Sequence, residues 1–390
     1  MSEEAPAASK KRKLSDPGTD TAPEKTKLAQ NDAKMGRAIA SFALHPLSKY
    51  RRACPTYKEP HELLSFSYDN TRSIRMDNRE LKYYYKPSMS PPPSLFRGFS
   101  EQVRRDHTVN EHIDGLTTAL SHLRQTQSLN VDADFVMYRG MLTRIFVTPF
   151  SLREAWSMNA TRVGKTVFIE DNVTEDKLAD RLGSSEAHRR MMYSGYKFEA
   201  LSVIDVPPES LTPEQLQSKL DERLHSIVNT NSEYCSVFRT QLGSHSIVSG
   251  AEVDCIDRPK PAEFPCRVYR ELKTSRVLDS DKACMSFSRF KLLKFWAQSF
   301  IAGIPVVTVG FRDDEGRLVQ VRDFRTREMP RMVRDKPRMW EANVCMNFAD
   351  QLLQFIKQHV VAEGPETQYR IHALALLGQM PAISICRVYQ

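Results

Sequence analysis

The sequence predicts an α+β fold, a single large domain with mixed β-sheets flanked by helices. Three observations lead there. Strand-period and helix-period segments interleave along the chain, they centre on pairs of alternating strands, and no fixed-period repeat runs from Phe42 onward. The 390 residues, 41% of them hydrophobic, supply a sizeable core, as one large domain or two ordinary ones.

Residues 1 to about 38 are rich in Ala, Ser, Pro, Lys and Asp and nearly free of large apolar side chains. Such a segment cannot bury enough surface to offset its ordering entropy, so it is expected to be disordered. Within it Lys10, Lys11, Arg12 and Lys13 form a dense basic run, readable as a nuclear localisation signal or as a solvated charge cluster. The domain plan is thus a basic tail over 1–38 and a folded domain over 39–390.

Pro91, Pro92 and Pro93 mark a loop, because apolar patterning resumes at Leu95, Phe96 and Phe99. Val109, Ile113, Leu116, Leu120 and Leu123 predict a helix over 108–123. The stretch 135–150 reads as a strand or strand pair around Arg139 and Gly140, and 186–203 as a second helix. A third helix over 214–228 is entered through Thr212 and Pro213, with Leu216, Leu220, Leu224 and Ile227 on one face. Residues 247–255 and 268–274 alternate like paired strands, linked by a loop holding Pro259, Pro261 and Pro265. A helix over 289–301 stops before Gly303 and Pro305. Strands at 306–311 and 318–324 turn at Asp313, Asp314, Glu315 and Gly316, and 347–361 is a last helix.

Lys and Arg total 56 against 48 Asp and Glu, a formal charge of +8 that suits a polyanion partner without requiring one. The seven Cys include no C-x-x-C pair, which argues against a disulfide framework or zinc site and for a reducing compartment. The N-terminus lacks the apolar run of a signal peptide. The most apolar stretch, 297–310, is short and broken by Pro305, so no membrane partner is expected.

The chemistry concentrates in Glu252-Val253-Asp254 and Glu271-Leu272-Lys273. Strand side chains alternate faces, so Glu252 and Asp254 point one way together, as do Glu271 and Lys273. If the strands pair, three carboxylates and one ammonium converge, and such acids repel unless a divalent cation holds them. Oxygen donors without His or Cys favour Mg²⁺ or Mn²⁺ over zinc. Lys273 is placed to orient water or to stabilise charge on a phosphorane. The competing reading is a solvated strand face with cross-strand charge pairs. Apolar Val253, Leu272, Val268 and Tyr269 make the strands look central, which favours a functional cluster. Glu199 is either a further acid, on a helix face with Met192 and a close-approaching Gly195, or an ordinary exposed residue. The whole reads as a metal-dependent nucleic-acid phosphodiesterase.

Other motifs read as structure. Gly164-Lys165-Thr166 is a turn, since a P-loop would need Gly where Asn159 stands. Gly243-Ser244-His245 lacks a G-x-S-x-G frame and reads as a turn. Cys255, and the stripe of Trp296 and Phe300, read as core.

In order along the chain stand Arg-Gly at 139–140, G-Y-K-F-E at 195–199, E-V-D-C at 252–255, E-L-K-T at 271–274, F-W-A-Q-S at 295–299 and G-F-R at 310–312. This series resembles the DXO-type decapping and exoribonuclease family, nearest its fungal nuclear members that partner the nuclear 5′–3′ exoribonuclease. The resemblance runs from about residue 66 to about residue 347.

It implies a restriction-type, PD-(D/E)xK-like nuclease core. It further implies that Glu199, Asp254, Glu271 and the Leu272 carbonyl hold the divalent metal, Mg²⁺ or Mn²⁺, with two ions in the reactive complex. Glu252 would lie at the metal and towards substrate, with Lys273 and Gln298 near the scissile phosphate, and Gln298 sharing a helix face with Lys291 and Lys294. Arg139, flanked by Tyr138 and Gly140, would bind RNA phosphate, and Arg72, Glu111 and Cys235 fall at further substrate positions. The chain departs from some relatives in having Tyr138 for Trp and Ala251 for Gly, which touches substrate preference and no metal ligand.

The implied reaction is metal-assisted hydrolysis at RNA 5′ ends. It would remove pyrophosphate from triphosphate ends, release unmethylated or incomplete caps with the first nucleotide, and remove NAD caps, leaving 5′-monophosphate RNA in the nucleus. Two rivals stay open: a DNA nuclease of the same fold, and a non-catalytic scaffold that stabilises an exonuclease.

Overall fold

The computed structural model describes residues 38–128, 131–364, 367–373 and 382–389. The expected tail and its basic run lie outside the described residues, apart from Ala38, which already opens a strand. Among the described residues no helix is long and apolar enough to cross a membrane.

In chain order the strands are β1 (Ala38–Ala43), β2 (Tyr57–Tyr68), β3 (Ile74–Arg75), β4 (Tyr83–Tyr84), β5 (Phe135–Tyr138), β6 (Trp156–Val163), β7 (Thr166–Asp171) and β8 (Val203–Ile204). They continue as β9 (Glu233–Leu242), β10 (His245–Glu252), β11 (Cys255–Ile256), β12 (Tyr269–Arg276), β13 (Val306–Arg312), β14 (Leu318–Arg325), β15 (Thr367–Ala373) and β16 (Ala382–Tyr389). A ten-stranded sheet has the order β1-β16-β15-β6-β7-β5-β10-β9-β2-β3, and a six-stranded sheet the order β14-β13-β12-β11-β4-β8. Both are mixed: β5 runs parallel to β7 and β10 in the first, and β13 parallel to β12 in the second. Strand β13 is buried along nearly its whole length, so its Val-rich run reads as continuous, not alternating. The expected mixed-sheet α+β domain is what forms.

The main core joins the two sheets through helices Arg139–Val147, Leu292–Ile301 and Ala342–His359. Trp296 stacks on Phe300 at 5.3 Å and on Trp340 at 5.1 Å, so this stripe is core as expected. Gly164 and Gly243 occupy tight turns with positive φ, and Cys255 is buried, again as expected.

Several boundaries differ from expectation, each for a local reason. The helix predicted over 108–123 runs Asp114–Gln127. Asp106 and Asn110 accept hydrogen bonds from the backbone N–H two residues on, which diverts the chain into turns before the helix starts. The stretch 135–150 is one short strand followed by helix Arg139–Val147, because Met141, Leu142, Ile145 and Phe146 bury at helical spacing. The helix predicted over 289–301 is helical from Asp281, with a π turn at Phe287–Lys291 between its two α segments. The last helix begins earlier, at Ala342, and ends at His359. Helix Pro213–His225, entered through a capping box between Thr212 and Gln215, stops short of Val228, leaving Leu224 and Ile227 exposed.

The paired strands over 247–255 and 268–274 are the main correction. Strand β10 pairs with β5 and β9 in the larger sheet. The chain then crosses through Val253 and Asp254 into β11, where Cys255 and Ile256 pair with Arg270 and Tyr269 of β12. The acids therefore converge at a junction between sheets, not along one hairpin.

Candidate active site

Glu271 stands on the fully buried middle of β12. Its carboxylate accepts from Arg139 Nη1 at 2.8 Å and Nη2 at 3.3 Å, and from Lys273 Nζ at 2.6 Å. Burial alone would raise its pKa, yet Arg139 and then Lys273 hold it down at about 2. Burial likewise opposes the Lys273 charge, but Glu271, Asp254 and Glu199 raise its pKa and keep it an ammonium.

Asp254 lies in the crossing between sheets, where its Oδ2 accepts from the Leu272 N–H at 2.5 Å and stands 4.0 Å from Lys273 Nζ. Loss of solvation pushes its carboxyl up to about 7, with Glu271 and Glu252 adding repulsion against the pull of Lys273. Glu252 ends β10 with an exposed side chain, but protein crowds it closely. Partial desolvation, and then the charge of Glu233, lift it to about 7.

Glu199 comes from the last turn of helix Glu186–Leu201, which starts at Ser185, whose hydroxyl accepts from the His188 N–H, and packs on β12. Its pKa is raised well above the usual carboxylate range by desolvation first, then by Asp254 and Glu252. The seat of this helix depends on Gly310 in β13, where a Cβ would come within 2.6 Å of the Phe198 ring. Gly195 is not needed for close approach, since a Cβ there would meet only Thr274 Oγ1 at 3.9 Å.

Four carboxylates thus surround Lys273, and only Glu271 has a cation at hydrogen-bond distance. The other three repel one another, a charge imbalance that a divalent ion relieves, and their hard oxygen donors suit Mg²⁺ or Mn²⁺. Among the described residues no three Asp, Glu, His or Cys side chains stand in a ready metal-binding geometry. The fit therefore rests on donor chemistry and charge.

The expected substrate residues fall in two groups. Arg139, only 7% exposed, spends its guanidinium on Glu271, so its first role is to position that acid. Gly140 is exposed and open, with nothing within 4 Å of a hypothetical Cβ. Gln298 lies half-buried on helix Leu292–Ile301, which packs on helix Arg139–Val147, and makes no side-chain hydrogen bond to the acids. Its expected basic face is partly spent: Lys294 Nζ pairs with Glu154 at 2.7 Å, and Lys291 Nζ donates to Thr274 O and Ser275 Oγ.

Tyr138 ends β5, its ring so close to Gly250 that a Cβ there would sit 2.8 Å from it and 3.6 Å from Cys235 Sγ. Arg72 and Glu111 belong to a closed ring of ion pairs that sequence reasoning did not find. Arg72 reaches Glu111 at 2.9 Å and Glu233 at 2.7 Å, and Arg105 reaches Glu111 at 2.5 Å and Glu233 at 3.6 Å. The Arg72 guanidinium also lies 3.7 Å over the Tyr68 ring. Glu233 ties this ring to the acids, because its charge lifts Glu252 more than any other charge does.

A Glu-x-Lys strand, an acid from the crossing that leads into its partner strand and a helix glutamate define a nuclease of the restriction type. Comparison with known proteins agrees. Residues 58–376 match the family described as RAI1 like PD-(D/E)XK nuclease. The decapping nuclease RAI1 of Neurospora crassa is 35% identical over 338 residues, covering 83% of this chain and 79% of the relative. The decapping and exoribonuclease protein of Xenopus laevis is 35% identical over 361 residues, covering 89% and 87%. The fold is shared with Candida albicans Rai1 in complex with pU5 and Mn²⁺, at a TM-score of 0.79 and 22% identity over 90% of this chain and 93% of that one. This chain belongs to the RAI1-like PD-(D/E)XK nuclease family. It is an RNA-processing hydrolase of the decapping nuclease class.

Proposed function

We propose that this protein hydrolyses RNA 5′ ends. Its substrates would be 5′-triphosphate RNA, which loses pyrophosphate, unmethylated or incomplete caps released with the first nucleotide, and NAD caps. The product is 5′-monophosphate RNA, handed in the nucleus to a 5′–3′ exoribonuclease that this protein stabilises or stimulates. The observation that carries the reading is the cluster of Glu199, Glu252, Asp254 and Glu271 around Lys273, three of whose four acids have raised pKa values and no cation at hydrogen-bond distance. Mn²⁺ with a 5′-phosphorylated oligonucleotide in the Candida albicans relative supports the ligand classes.

Glu199, Asp254, Glu271 and the Leu272 carbonyl would hold divalent metal, with Glu252 beside them. When bound, Mg²⁺ or Mn²⁺, two ions in the reactive complex, supplies charge neutralisation and an activated water. The chain does the rest. Arg139 fixes the Glu271 carboxylate in its ionised form, and Glu271 in turn keeps Lys273 protonated. That ammonium is available to a phosphate oxygen where charge develops, with Gln298 as a neutral donor nearby. The Asp254 carboxylate fixes the Leu272 peptide through its N–H. The ring of Arg72, Glu111, Arg105 and Glu233, with Tyr138, Gly140 and Cys235, would orient the 5′ nucleotides. The basic run in the 1–38 tail would direct nuclear import.

The test compares wild type, Glu199→Ala and Asp254→Ala on 5′-triphosphate and GpppN-capped RNA with Mg²⁺ or Mn²⁺. The expected result is product from wild type only. Equal product from all three sinks the metal-site assignment, and a silent wild type that still stimulates a nuclear exonuclease favours the scaffold reading. Cleavage of duplex DNA in preference to RNA would favour the DNA nuclease.

A further inference from the structure

Helix Glu186–Leu201 carries a second charged side chain on its other face. Lys197 precedes Glu199 by two residues, about 200° around the helix, and is 2% exposed. Its ammonium donates to the carbonyls of Leu224 at 3.4 Å and Ser226 at 3.1 Å, at the end of helix Pro213–His225. Arg223 of that helix is 8% exposed and donates to the carbonyls of Tyr85 at 2.7 Å and Lys86 at 3.2 Å. Both cations line a cavity of about 700 Å³ beneath the Pro91, Pro92 and Pro93 loop, and Lys86 and Arg97 are exposed at the same cavity.

Among the described residues no carboxylate forms an ion pair with any of these four cations; Arg97 meets only His225 Nδ1, at 3.3 Å. The acid on the wall, Asp221, accepts from Gln217 at 2.9 Å. Glu101 acts on Lys197 only through its field. The end of helix Pro213–His225 offers Lys197 partial negative charge, but Arg223 has neutral carbonyls and the Tyr85 ring alone. Burial accordingly pulls Arg223 down to about 10, with no acid to restore it. A buried cation held only by neutral groups is unfavourable, and an anion in the cavity would correct this. Each cation has N–H donors left over: one on the ammonium and three on the guanidinium. Leu201 and Leu220 add an apolar wall, and the volume lies within the usual small-molecule range of about 300–1,000 Å³.

We propose that this cavity binds a small phosphate-bearing anion, orthophosphate or a nucleoside monophosphate, at a site separate from the metal centre and on the opposite face of the helix that presents Glu199.

The experiment titrates orthophosphate or GMP into the full chain in EDTA at constant ionic strength, by calorimetry and thermal shift. The variants are Lys86→Ala with Arg97→Ala, both exposed, then Arg223→Gln, with Lys273→Gln as the metal-centre control. Expected are saturable binding to wild type, about tenfold weaker binding to the double variant and Arg223→Gln, and unchanged binding to Lys273→Gln. GMP about tenfold tighter than orthophosphate identifies a nucleotide site, and equal affinities identify the free anion. No saturable binding to wild type, undiminished binding to the double variant, or loss in Lys273→Gln overturns the proposal. If Arg223→Gln fails to fold, the double variant decides.

Discussion

Glu271 and Asp254 sit in the same cluster, each with its side chain almost wholly buried, yet one carboxyl is held at about 2 and the other pushed up to about 7. Burial acts on both in the same direction. What separates them is the hydrogen-bonded Arg139 and Lys273 on Glu271, against a single backbone N–H and a more distant ammonium at Asp254. Partner charge, not depth, decides which acid is already satisfied and which still needs a cation.

The comparison can be broken by removing either side of it. Asp254→Asn deletes a repelled acid, so hydrolysis of 5′-triphosphate RNA should fall by about a thousandfold, measured as pyrophosphate release. The same change should stabilise the metal-free fold near pH 8 by on the order of 2 kcal/mol in urea. The sign follows from the raised pKa: the folded protein holds its proton up to about 7, the unfolded chain loses it near 4. Stability from this group is therefore present in acid and is lost as pH rises through about 4 to 7, so the gain from Asp254→Asn should vanish by pH 4. Arg139→Met attacks the other side. It strips Glu271 of its bidentate partner and should cost about 3–5 kcal/mol of stability, read from urea unfolding. A near-neutral result would mean that Lys273 alone satisfies Glu271.

Smaller effects sharpen the picture. Gly310→Ala would drive a methyl into the Phe198 ring, with an expected loss of about 1–3 kcal/mol and weaker activity through displacement of Glu199. Thermal-shift curves of the variant beside those of the wild type would register it directly. Arg105→Ala opens the ion-pair ring from its more exposed side and should raise KM about three- to tenfold with kcat little changed. A drop in kcat alone would place Arg105 with the chemistry instead.

The alternation of Glu252 with Asp254 and of Glu271 with Lys273 made the acid cluster legible in the sequence, and the helix that presents Glu199 was nearly so. Alternation reports which side of a strand a residue faces, but not which sheet the strand joins. The crossing at Val253 and Asp254 was therefore invisible, and the two acid strands looked like one hairpin. Arg139 was found, but the helix it opens was read as strand, because no Gly or Pro separates it from β5. Its duty to Glu271 and the pairing of Arg105 with Glu233 are long-range contacts with no local signature. Gly310 shows its purpose only when the Phe198 ring is seen above it.

The central claim is that Glu199, Glu252 and Asp254, whose pKa values are raised by desolvation and by neighbouring carboxylates, are the acids that take up the cation. Calorimetric titration with Mn²⁺ at pH 6.5 in two buffers of different ionisation enthalpy tests it most directly. Protonated ligands must ionise to bind, so about one to two protons should be released per chain, and fewer after Asp254→Ala. Binding without proton release, or release unchanged in Asp254→Ala, would contradict the account.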